Sequence, residues 1–228
     1  WHVPLSRGAR GVLFLLLIFS FFTLSAQETK KKDKVKFKDM ASLSGYVKYL
    51  NITTIGEGAT LFNDNIIHNR LNFKMYVGDH FEVRVEARNR AFFGETMKLN
   101  PNFASQLDKD DGLIDMSWLL VNTNSFVINT KIDRAYINIY KGKFDVKIGR
   151  QRINWGITNL WNPNDLFNAY NFLDFDYEER PGTDAIRVEY STGDMSNLDF
   201  AVRPGKNIDE TTIALMYKFN ALKYDFQV

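Results

Sequence analysis

The sequence predicts an all-β protein whose strands form one antiparallel sheet. Three observations carry that expectation. Apolar residues alternate with polar and charged ones through most of 66–91, the turns follow a rhythm of short and long, and the 228 residues show no βαβ spacing and no internal repeat.

The clearest element is a hairpin. In its first strand Ile67, Leu71, Phe73, Met75 and Val77 fall on one side, with His68, Arg70, Asn72, Lys74 and Tyr76 on the other. Gly78-Asp79 turns the chain. Phe81, Val83, Val85 and Ala87 then alternate with Glu82, Arg84, Glu86, Arg88 and Arg90. Successive side chains of a strand point to opposite faces, so each strand has an oily side and a charged side. The charged side suits water. The oily side faces either a protein core or lipid.

The residues ahead of the first strand set the compartment. Arg7 and Arg10 precede an apolar run from Gly11 to Leu24, and Leu24-Ser25-Ala26 ends on a small residue. This is the layout of a secretory signal peptide, residues 1–26, and its apolar run is too short to anchor in a bilayer. Residues 27–40 then form a lysine-rich leader, expected in the periplasm. The chain opens on Trp1 rather than Met, so the start of its reading frame is expected to be missing. Removing 1–26 takes away two arginines and no acids, leaving 27 bases against 27 acids. That balance, without a basic helix or an RNA-binding aromatic motif, argues against a nucleic-acid partner. An exported chain of this size with no cysteine is held by a sheet network or by lipid, not by disulfides.

Nine strands are expected after the leader, at 43–54, 66–77, 80–91, 130–140, 144–155, 184–191, 198–203, 211–219 and 224–228. The connections 78–79, 141–143, 192–197 and 220–223 are short, and 55–65, 92–129, 156–183 and 204–210 are longer. Every short turn falls at the leader's end of the strands and every longer one at the other end. Outer-membrane barrels have this asymmetry, with tight periplasmic turns and long outer loops. Residues 41–228 are therefore expected to be an antiparallel transmembrane β-barrel in contact with outer-membrane lipid. With an odd number of strands, the chain is expected to be its N-terminal portion.

Phe144 to Asp165 reads FDVKIGRQRINWGITNLWNPND. Phe144, Val146 and Ile148 share the oily face, so strict alternation would send Arg150 and Arg152 toward lipid, at about 2–4 kcal/mol for an arginine in mid-bilayer. One extra residue at Gly149, a bulge, would return Arg150, Arg152 and Asn154 to the lumen and turn Ile153 and Trp155 outward. A strand ending at Ile148 is the alternative. Gly149-Arg150-Gln151, Trp155-Gly156 and Asn162-Pro163-Asn164-Asp165, with Asp133-Arg134-Ala135-Tyr136 before them, resemble the alginate-export and related porin-like outer-membrane barrels, in the style of Bacteroidetes. The resemblance covers about residues 130–190. It implies transport rather than chemistry and an arginine-lined pore, carried here by Arg134, Arg150 and Arg152. It does not imply that alginate is the solute.

Little else suggests catalysis. His68 and His80 are the histidines left after the signal, and neither has a serine–acid or metal-ligand arrangement beside it. No G-x-S-x-G elbow occurs. The acids at Asp108, Asp110 and Asp111, and at Asp174, Asp176, Glu178 and Glu179, lack the spacing of a calcium loop. No enzyme, cofactor or metal is expected. A channel for small or polymeric solutes, anionic or saccharide, is.

Across the inferred lumen faces Arg70, Lys74, Arg84, Arg88, Arg90, Arg134, Lys147, Arg150, Arg152, Arg187, Arg203 and Lys218 oppose Glu82, Glu86, Asp145, Glu189, Asp199 and Asp225. Twelve bases against six acids either build cross-strand ion-pair ladders or bias a pore toward anions. The apolar connection 156–183, bent at Trp161, Asn162, Pro163 and Asp165, is expected to fold into or over the pore as a constriction. The alternative architecture is a secreted β-sandwich that binds glycans through Trp118, Trp161, Tyr170 and Phe172.

Overall fold

The structure, a computed structural model, describes residues 40–56, 60–156, 166–167 and 182–228. The expected signal peptide at 1–26, residues 27–39 of the leader and the bend residues Trp161, Asn162, Pro163 and Asp165 lie outside the described residues, as do Tyr170 and Phe172.

The chain is all-β and antiparallel. Its strands are β1 (Ala41–Ile55), β2 (Leu61–Val77), β3 (Phe81–Gly94), β4 (Ser117–Asn122), β5 (Phe126–Lys141), β6 (Phe144–Gln151), β7 (Thr183–Gly193), β8 (Ser196–Arg203), β9 (Thr212–Ala221) and β10 (Tyr224–Gln227). They pair in the order β1-β2-β3-β5-β6-β7-β8-β9-β10, with β4 joined to β5. No ladder links β1 to β10 among the described residues. Two short helices, α1 (Thr96–Leu99) and α2 (Phe103–Leu107), lie between β3 and β4. No described helix is long and apolar enough to cross a membrane.

Ten strands replace the expected nine because Ser117–Asn122, read from sequence as loop, pairs with the far half of β5. Its run Trp118-Leu119-Leu120-Val121 is apolar on both faces, so alternation gave no sign of it.

The register carries the oily face across the sheet unbroken. One row joins Met75, Val83, Ile137, Ile148, Ile186, Val202 and Ile213. The next joins Val77, Phe81, Ile139, Val146, Val188, Phe200 and Leu215. A slip of one residue in β3, β6, β7 or β8 would push a charge into these rows, which is why the pattern fixes the register. Toward the short turns the oily face ends in aromatic contacts. Ring centroids of Phe144 and Tyr190 lie 4.7 Å apart, those of Tyr217 and Phe219 5.4 Å, and those of Phe219 and Phe226 5.1 Å.

Burial runs opposite to that of a soluble sheet. On the oily face Leu71 is 43% exposed, Ile137 48%, Ile186 46% and Leu215 59%. On the charged face Arg70 and Glu86 are each 5% exposed, Arg88 3% and Asp199 0%. No second sheet covers that face among the described residues, and its charges are buried against one another.

Candidate functional site

Cross-strand pairing on the charged face places bases over acids. Arg70 of β2 reaches Glu86 of β3 at 2.6 Å and Asp133 of β5 at 2.9 Å. Arg88 approaches Asp133 at 3.6 Å, and Arg134 approaches Glu86 at 3.5 Å. Asp133 and Arg134 can both take part because the register between β3 and β5 shifts there: Glu86 faces Arg134, while Ala87 faces Ile132. The extra residue of this bulge is Asp133, which therefore joins the charged face. Closer to the short turns Glu82 receives Arg84 at 3.1 Å, Lys74 at 3.6 Å and a hydrogen bond from the Tyr140 hydroxyl. On β7, Arg187 pairs with Glu189 at 3.1 Å and donates from Nε to Asp199 at 2.9 Å. The Arg90 guanidinium lies 5.3 Å from the Phe92 ring centroid.

The expected bulge at Gly149 is absent. Residues 144–150 pair one-to-one with β5, and residues 144–151 do so with β7. Gly149 takes a φ of +119°, and a Cβ there would lie 2.3 Å from the Ala135 carbonyl oxygen. Glycine serves as a left-handed, close-packed link rather than as an insertion.

Arg150 follows, and it leaves the lumen cluster expected for it. It is 2% exposed and lies where β6 stops pairing with β5 and the approach to β4 begins. Its guanidinium donates to both Asp184 oxygens at 2.9 and 3.0 Å and to Asp110 at 2.7 Å. It also donates to the carbonyls of Ile132 at 3.2 Å and Ile114 at 2.6 Å. The five-donor fork thus fills an interruption in the strand pairing that backbone amides would otherwise fill. Arg134 stays on the charged face beside Glu86, apart from this group. The three-arginine cluster of Arg134, Arg150 and Arg152 is not assembled. Arg152 is half-buried in the segment just after β6.

That segment turns inward. Strand 144–155 was expected to run on with Ile153 and Trp155 facing lipid, but β6 ends at Gln151 and both side chains are buried on the charged face. The small residues Ala185, Ala201 and Ala214 leave room for them. Trp155 donates its indole N–H to Asp199 at 2.7 Å and meets Phe167 edge-to-face at 5.2 Å. On the exposed apolar face that N–H would have no protein acceptor, whereas Asp199 supplies one here. Gln151 closes the strand end by donating to the carbonyls of Lys147 and Ala185. Phe167 packs into the same cluster.

Sequence reasoning missed the acids that answer the arginines: Asp110, Asp133 and Asp184. The bulge that adds Asp133 also brings Lys131, opposite Arg88, onto the charged face, so with Arg150 withdrawn the twelve bases stay twelve and the six acids become seven. The signal available was the run of small residues at 185, 201 and 214, which a purely solvent-lined face would not need.

Asp110 also makes a pH prediction. Burial alone would raise its carboxyl, but the Met116 amide, Arg150 and Lys131 outweigh burial and hold it below the ordinary value. Its folded pKa being depressed, its stabilisation is full above the unfolded value and is lost as pH falls through the folded one. The difference in thermal midpoint between wild type and Asp110→Asn should be constant at neutral pH and shrink below about pH 4. A difference that persists at lower pH would contradict the pairing.

Comparison of the chain with protein-family models, curated proteins and solved structures finds no match.

Proposed function

We propose that residues 41–228 form part of the wall of an outer-membrane β-barrel of the porin or exporter type, through which small or polymeric solutes pass without catalysis. Residues 1–26 serve as its export signal. The observation that carries this reading is the inversion of the two faces: the oily rows, Met75 apart, are exposed or half-exposed, and the centre of the charged face is buried. A secreted sandwich needs the reverse, with its apolar side inward.

The dimensions agree. From Ile67 to Val77 the oily face of β2 spans eleven residues, ten rises of about 3.4 Å or about 34 Å, and about 26 Å of membrane height at a tilt near 40°. Asn69 interrupts that stretch, held by bonds to the Tyr46 carbonyl and from Asn89. The aromatic contacts near the short turns suit a membrane interface. The resemblance of residues 130–190 to alginate-export-like barrels points the same way. Trp155 and Phe167, folded onto the charged face, are where a constriction would begin.

Expressed with its signal, the full chain should pellet with membranes and need detergent for release. Reconstituted vesicles should swell in an isotonic solution of a small sugar. A product soluble without detergent would overturn the reading. Insertion without swelling would leave a barrel that is only a scaffold.

A further inference from the structure

We infer that the charged face carries a subsite for small solutes bearing a carboxylate or phosphate, formed by Lys74, Arg84 and Lys147 around the Tyr136 ring; it rests on the channel reading above and names what that channel favours. The side chains of Lys74 and Arg84 are 31% and 29% exposed, whereas those of their partners Glu82 and Glu86 are 6% and 7% exposed. At this patch the bases form the accessible layer and Glu82 and Glu86 lie beneath it, the reverse of the Arg187–Glu189 pair. Glu82 is shared between Lys74 and Arg84, and Glu86 is already engaged by Arg70 and Arg134.

Lys147 adds a base that feels Glu189 only at longer range, that acid being paired with Arg187. Its Nζ lies 5.5 Å from the Tyr136 ring centroid, and among the described residues no carboxylate lies within ion-pair distance of it. The Arg84 guanidinium lies 5.9 Å from the same ring. Lys74, Arg84 and Tyr136 are direct cross-strand neighbours on β2, β3 and β5, and Lys147 is one step along on β6. Gly149, opposite Tyr136, adds no side chain beside the ring.

An anion arriving from the open side therefore meets three bases before either acid. Arg84 offers a planar fork that matches a carboxylate or phosphate, and the ring offers a flat apolar surface next to it. Arg70, Arg88, Arg134 and Arg187 on the same face are held in internal pairs. The accessible layer, not the total charge, sets the preference.

The test is the reversal potential of the full chain in a planar bilayer under a KCl gradient at low salt. Wild type should favour chloride. Lys74→Gln with Arg84→Gln should reduce the chloride-to-potassium permeability ratio by about threefold or more. Glu82→Gln should raise it, and this variant carries the test if the double variant fails to insert. A conducting wild type whose ratio is unmoved by both changes would overturn the subsite alone. A wild type that inserts and does not conduct would overturn the channel reading, and the subsite with it.

Discussion

Arg150→Gln should cost the folded protein about 3–5 kcal/mol, the range for removing one partner of a buried ion pair. Glutamine can replace one of the bonds to Asp184, but it leaves Asp110 without its short partner and the Ile114 and Ile132 carbonyls without donors. Each such buried acceptor adds its own desolvation cost. Arg150→Lys should recover part of the loss, because an ammonium keeps the charge but not the planar fork that spans β5, β7 and the approach to β4. Urea unfolding in lipid vesicles, followed by tryptophan fluorescence, measures both. An unchanged midpoint for Arg150→Gln would show that the guanidinium does not join these segments.

Gly149→Val should be the other severe change. At a φ of +119° any side chain is strained, at about 1–3 kcal/mol, and the added Cβ would press on the Ala135 carbonyl 2.3 Å away. The obstacle is backbone in the paired strand, so neither partner can yield without breaking the β5–β6 ladder. Gly78→Ala is the control. Its φ is +61° with nothing within 4 Å of a Cβ, so it should cost only about 1–2 kcal/mol for the left-handed conformation. Similar midpoints for Gly149→Val and Gly78→Ala would mean that β6 can shift away from β5.

The sheet was legible in the sequence because alternation is a local signal. Nothing more than the order Leu71, Phe73, Met75, Val77 is needed to state which side chains share a face, and the two unbroken oily rows follow once the turns are placed. Local signals did not extend to residue 150. Whether an arginine there faces lipid, lumen or a neighbouring strand depends on Asp110 and Asp184, 40 and 34 residues distant in sequence. The bulge was sought at Gly149 because glycine is a common bulge residue. The structure has it at Asp133, where the inserted residue gains two arginine partners. Trp155 was assigned to lipid by counting alternate positions, a rule that lapses once β6 ends at Gln151. β4 escaped because six residues with apolar groups on both faces look like any apolar loop.

The central claim is that the oily face meets lipid and the charged face meets water. The chain has no cysteine, so single cysteines can be introduced and spin-labelled one at a time. Labels at Ile137, Ile148, Ile186 and Leu215 sample the oily face, and labels at Lys147, Glu189 and Lys218 the charged one. In reconstituted vesicles the first group should relax with oxygen, which concentrates in lipid, and the second with a water-soluble nickel complex. Collision rates should therefore alternate with a period of two residues along β6 and β7. Nickel access at Ile137, Ile148, Ile186 and Leu215 would contradict the account.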